Sequence, residues 1–113
     1  MSKSATTTDR LADIGHPDDW LKNPTPGDIL LEDFLKPIGM SQTALANAIG
    51  VPPRRINEIV LGKRAVTADT DLRLTRYWGL RPGFFLGLQA DHDLMEQRRK
   101  MGAALEMITP RAA

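Results

Sequence analysis

Apolar residues recur along this chain at three- and four-residue spacing, in short bursts separated by glycine and proline. That period places them on one face of a helix rather than one face of a strand. Five helices follow. Thr25 has the side chain of an N-cap, Pro26 suits the first helical position, and Asp28 lies near the positive helix end. Ile29, Leu30, Phe34 and Leu35 share a face until Pro37 and Gly39 stop the helix. Ser41 caps a second helix, with Leu45, Ala46 and Ile49 inward and Gly50 at its end. A third starts near Pro53, groups Ile56, Ile59 and Val60, and stops at Gly62. Thr67, helped by Asp69, caps a fourth whose apolar side is Leu72, Leu74 and Trp78 and whose stop is Gly79. Pro82 opens a fifth, carrying Phe84, Phe85, Leu88, Leu94 and Met95 and continuing to Gly102. No segment alternates cleanly at period two, so no strand is expected. The expected fold is all-α, a compact five-helix bundle.

The two ends read differently. Residues 1–24 are dominated by Ser, Thr and Asp and then by Gly15-His16-Pro17 and Asn23-Pro24, the composition of a flexible N-terminal arm. Within it Trp20 either covers a groove on the domain or, with Leu21, anchors the arm on a partner protein. The ordered domain is expected over residues 25–102. Residues 103–113 form a half-apolar tail, either a last helical turn packed on a second subunit or a frayed end.

Composition narrows this picture. The chain has 113 residues, enough for one domain with a single core. Aromatic residues make up only 5%, so Leu, Ile, Ala and Val must build that core, which suits helices packed on helices. There is no cysteine, which excludes disulfides and thiolate metal sites and fits a reducing cytoplasm. No apolar run approaches the roughly 20 residues of a membrane span, and "MSKSATTTDRLADIGHPDD" lacks the apolar region of a secretory signal. Net charge is +1, but its distribution is uneven. Residues 1–50 carry four Lys/Arg against seven Asp/Glu, whereas residues 51–81 carry seven against three. A basic segment inside a near-neutral chain points toward nucleic acid.

That basic segment coincides with the most specific pattern in the chain, "SQTALANAIGVPPRRINEIVLGKR" from Ser41 to Arg64. Ala46 supplies the small residue that two steeply crossing helices need at closest approach. Gly50 supplies the positive φ of a short turn. Val51, Ile56 and Ile59 bury the helix that follows. This is the spacing of a helix-turn-helix, which sets its second helix in the DNA major groove. Pro52 is driven out of the α region by the proline after it, so Pro53 becomes a sharp first helical residue. Pro53, Arg54, Arg55, Asn57 and Glu58 then project away from the Ile56/Ile59 face as candidate base readers. Arg forks onto guanine, Asn pairs with adenine, Glu accepts from cytosine, and the proline ring can meet a thymine methyl. Arg54 leads this group, while Arg55 has base contact, phosphate contact and pairing with a nearby acid all open to it. Ser41 and Gln42, at the start of the second helix, and Lys63 and Arg64, after the third, are candidate phosphate contacts.

The stretch from Thr25 to Leu94 resembles the HigA-type antitoxins, a branch of the Xre/Cro-like helix-turn-helix proteins. "PGDIL", "GMSQTALANAIGVPPRRINEIVLGKRAVTADTDLRL" and "FFLGLQADHDL" carry the resemblance. It implies a five-helix domain of lambda-repressor-like type and a homodimer that binds a palindromic operator in its own promoter. It also implies a partner, a small RelE-like (HigB-like) mRNA-cleaving toxin neutralised by binding. A stand-alone Xre-family regulator without a toxin is the alternative. The resemblance further implies that C-terminal helices help form the dimer, with Phe85, Met95, Met101, Leu105 and Met107 as the candidate contacts. Two departures stand out. About 24 residues precede the usual start of the family, and Pro26-Gly27 lacks its customary preceding histidine.

Enzymatic readings find little support. His16 and His92 are the only histidines, and Asp91-His92-Asp93 would spread its side chains over different helix faces, a poor metal site. No nucleophile motif, phosphate loop or paired-acid geometry is present, and no cofactor is expected.

Overall fold

The computed structural model describes residues 23–112. Trp20, Leu21 and nearly all of the segment read as an arm lie outside the described residues. Those described form six helices and no strand. The first, α1 (residues 26–38), begins at the predicted cap. Thr25 Oγ1 accepts from the Asp28 N–H, and the Asp28 carboxylate accepts from the Thr25 N–H, each at 3.0 Å. Pro37 does not end this helix as expected. The backbone widens to a π-helix over Leu30–Leu35 and then continues through Lys36–Ile38. A proline in a regular helix lacks an N–H and crowds the carbonyl four residues back. The wider turn, in which the Lys36 N–H reaches back five residues to the Leu31 carbonyl, relieves that crowding. Gly39, at φ 64°, ends the helix instead.

The remaining helices are α2 (Gln42–Ile49), α3 (Pro53–Val60), α4 (Ala68–Trp78), α5 (Phe84–Met101) and a short α6 (Ala103–Glu106). The sixth is the last helical turn that the sequence left open for residues 103–113; Gly102 breaks the chain direction at φ 52°, ψ −127° and one further turn forms beyond it. Leu30, Leu35, Leu45, Ala46, Ile49, Val51, Ile56, Ile59, Val66, Leu74 and Phe85 form one buried cluster drawn from α1 through α5. Each fully buried side chain of this size contributes about 1.5–3 kcal/mol. Phe34 joins the cluster to the rings of Trp78, Phe84 and Phe85 at centroid distances of 4.9, 6.0 and 5.4 Å.

Two contacts fix how α1 and α5 sit against the rest. Gly27 lies directly on the end of α3. A Cβ there would collide with the Ile59 carbonyl and stand 2.8 Å from the Val60 Cα. Asp71 of α4 is 1% exposed, yet it is fully used. Its carboxylate accepts the N–H groups of Gly83, Phe85 and Leu86 at 2.6, 2.9 and 3.0 Å. A helix N-terminus presents unpaired N–H groups and positive potential, and here a carboxylate from another helix caps it. This explains why α5 begins at Phe84, two residues after the predicted Pro82.

Several inward assignments are corrected. Leu72, Phe84 and Leu94 are exposed, because Thr70, Asp71, Thr75 and the predicted Leu74 take the inner side of α4 and Phe85 alone of α5 is buried. Phe85, expected at a dimer interface, is in the core of its own subunit and presents nothing to a second copy. Asn23, counted with the arm, is buried against α5. Its amide donates to the His92 carbonyl and to Glu96 at 3.1 and 2.8 Å, and His92 Nδ1 lies 3.0 Å from the Asn23 carbonyl oxygen. His92 is thus half-buried and engaged rather than a plain surface histidine.

Candidate nucleic-acid interface

The α2–turn–α3 unit is built as its sequence spacing predicts. Ser41 caps α2, its Oγ accepting from the Ala44 N–H at 3.0 Å. Leu45 and Ala46 are fully buried where α2 crosses α3. Gly50 adopts φ 75°, and the Val51 N–H returns to the Ala46 carbonyl at 3.0 Å. Pro52 stands in extended backbone at φ −63°, ψ 140°, and Pro53 is the first residue of α3. Ile56 and Ile59 hold the inner face, so the opposite side of the helix stays outside. At its far end Gly62 takes φ 75°, and the Lys63 N–H bonds the Glu58 carbonyl at 2.8 Å.

Of the candidate base readers, Pro53, Arg54 and Asn57 are exposed on this outer side, and Arg55 and Glu58 are partly covered. The arginines are not equivalent. The Arg54 side chain is 83% exposed and pairs through Nε with Glu58 at 2.9 Å. Arg55 is 29% exposed and pairs with Asp69 of α4 at 2.8 Å. Of the roles open to it, the structure displays the acid pair. Glu58 also accepts from Arg64 Nε at 2.8 Å. These bonds, Arg64 first and Arg54 second, hold the Glu58 carboxyl below the usual glutamate range. Asp69 is likewise held low, by Arg73 and then Arg55.

Among the candidate phosphate contacts, Gln42 reaches Asn57 at 3.3 Å, linking the start of α2 to the outer face of α3. Ser41, Lys63 and Arg64 are exposed at the two edges of the unit. Ser41 and Gln42 at the head of α2, the outer side of α3, and the 63–64 segment thus flank one another.

The sequence reading missed the residues that brace this surface. Arg73 bonds Asp69 at 3.0 Å and reaches the Ile49 carbonyl at 2.9 Å, tying α4 to the end of α2. The Gln89 amide clamps Val66, accepting from its N–H at 2.7 Å and donating to its carbonyl at 3.0 Å. The four-residue spacing of Asp69 and Arg73 was a visible signal of a helical ion pair. Nothing in the sequence marked their reach to Arg55 and Ile49. No group of His, Asp or Glu among the described residues is arranged to hold a metal ion.

A helix-turn-helix family model matches residues 31–84. The Vibrio cholerae antitoxin HigA-1 is 30% identical over 84 residues, covering 74% of this chain and 79% of its own. The chain belongs to the Xre-like helix-turn-helix family that includes the HigA antitoxins. Within this family, virulence-associated protein I of Dichelobacter nodosus is 54% identical over 69 residues, which is 61% of this chain and 64% of that relative's length. The solved structure of Pseudomonas aeruginosa antitoxin HigA with the higBA promoter superposes with a TM-score of 0.72 at 33% identity, covering 80% of this chain and 99% of that one. The family's helical fold and helix-turn-helix are those described above.

Proposed function

We propose that this chain is an antitoxin that binds operator DNA as a two-fold dimer, represses its own operon, and neutralises a RelE-like mRNA-cleaving toxin by binding it. The observation that carries the DNA half is the exposed outer side of α3. It begins rigidly at Pro53, presents Arg54 and Asn57, and is bordered by Lys63 and Arg64. Arg54 is assigned to a guanine and Asn57 to an adenine. Ser41, Gln42, Lys63 and Arg64 are assigned to the phosphate backbone. Two copies of α3 about 34 Å apart would enter successive major grooves. Likeness to an antitoxin solved with its promoter supports this reading.

The dimer half draws on Met95, Met101, Leu105 and Met107 of α5 and its extension. Leu105 and Met107 are exposed and apolar. The toxin half draws on the relatives named as antitoxins, and Trp20 and Leu21 are assigned to toxin contact.

The test is co-purification. The chain is expressed with its genomic neighbours, this chain alone is tagged, and the eluate is weighed and tested on its own promoter DNA. A stoichiometric small basic protein together with a promoter shift is the expected result. A clean homodimer that shifts the promoter moves the function to a stand-alone regulator. A chain that shifts neither promoter nor unrelated DNA overturns both.

A further inference from the structure

Glu58 lies on α3 between Arg54 and Arg64, and on a surface proposed to approach phosphates an acid is costly. Its surroundings explain its presence. One carboxylate oxygen accepts from Arg54 Nε at 2.9 Å, and the other accepts from Arg64 Nε at 2.8 Å. Both arginines are engaged through Nε alone. Their terminal nitrogens, the ones that fork onto a guanine or a phosphate, make no hydrogen bond among the described residues. The carboxylate itself has one arginine on each oxygen and is 23% exposed. The pair is also poorly placed to stabilise the helix. An arginine four residues before a glutamate runs against the helix dipole, and exposed ion pairs add little to stability. What the arrangement does is give two long side chains one shared carboxylate to rest against, each through Nε.

Resting on the DNA-binding reading above, we propose that Glu58 is a positioning residue that sets sequence discrimination, splinting Arg54 and Arg64 by their Nε atoms so that the Arg54 fork is aimed at one guanine. This replaces its assignment as a reader of cytosine. The splint has two consequences. Holding Arg54 before binding reduces the side-chain ordering paid on contact with the correct base. The same negative charge repels phosphates that arrive in other registers, which lowers binding to unrelated sequence.

The full chain and its E58Q, R54A and R54A/E58Q variants are titrated against three duplexes by fluorescence anisotropy. These are its footprinted promoter site, that site with the Arg54-dependent base pair swapped, and a scrambled duplex. Glutamine keeps the shape and one acceptor but cannot hold two guanidinium groups. The expected result is that E58Q loses about tenfold in discrimination at the Arg54 base pair, the scale of one forked contact. It also binds the scrambled duplex more tightly, and it causes no further loss of discrimination when Arg54 is already alanine. Unchanged discrimination in E58Q overturns the splint while leaving the DNA-binding reading intact. So does a loss at a different base pair that persists in R54A/E58Q, which would make Glu58 a reader itself. If R54A weakens all three duplexes alike, Arg54 has no aimed fork and the splint fails. If the wild-type chain binds its promoter site and the scrambled duplex equally, the DNA-binding reading fails first and the splint with it.

Discussion

The α2–α4 end of the molecule and the far half of α5 differ in how their exposed side chains are tied to the rest of the chain. Around α3 each arginine from 54 to 73 meets an acid of the same chain: Arg54 and Arg64 on Glu58, Arg55 and Arg73 on Asp69. Beyond the middle of α5, large apolar groups stand exposed among charged ones such as Asp91, Asp93, Arg98 and Lys100. Leu94, Leu105, Met107 and Ile108 stand 63%, 40%, 80% and 64% exposed. One end is braced to keep its shape before any ligand arrives. The other leaves apolar area uncovered by its own subunit, as a surface completed by a second copy would. For the DNA binding proposed above, side chains ordered beforehand would lose less freedom on contact. The dimer contact proposed for the second end would need area rather than aim.

The contrast depends on the body that joins the two ends, so the strongest test is there. Asp71→Ala leaves three helix-capping N–H groups without a partner and is expected to destabilise the fold by roughly 2–5 kcal/mol, measured by urea unfolding. Asp71→Asn keeps one acceptor and should fall between. Equal stability of alanine variant and wild type would mean that α5 is held by packing alone. Gly27→Ala forces a methyl group into the end of α3 and should cost about 1–3 kcal/mol. Because it displaces α3 itself, promoter affinity should fall with it, and a variant that loses stability at full affinity would separate the brace from the site.

Smaller effects probe each end alone. Arg54→Ala is expected to cost on the order of 1–3 kcal/mol on the promoter site and to relax preference at one base pair. Equal weakening on every sequence would make Arg54 a phosphate contact. At the opposite end, Leu105→Asp with Met107→Asp should leave unfolding of the subunit within about 0.5 kcal/mol, as surface changes do, while sedimentation shows the dimer weakened. An undiminished dimer would remove this end from the interface. Lys63→Ala should weaken all duplexes together and flatten the salt dependence by about one unit. An unchanged slope takes Lys63 off the backbone.

Local chemistry was readable in the chain. Thr25, Ser41 and Thr67 cap the helices they were expected to cap, because an N-cap is satisfied by residues two or three positions away. Gly50 and the Pro52-Pro53 step define their turn and helix start for the same reason: the constraint lies in one residue's own backbone. The helix-turn-helix was legible because its spacing is short. What escaped depends on partners far along the chain. Leu72 looked inward by period and lies outside, because Asp71, buried to cap α5 from twelve to fifteen residues away, claims the inner side of α4. Phe85 looked available to a second copy and is enclosed by Phe34 of α1. Arg55 had three roles open to it, and only the fold brings Asp69 of α4, fourteen residues on, to its guanidinium. Amino-acid order determined which elements form, since caps, turns and apolar period act within a few residues. Tertiary packing decided which side chains those elements bury, brace or leave free, since burial and ion pairing belong to neighbours in space.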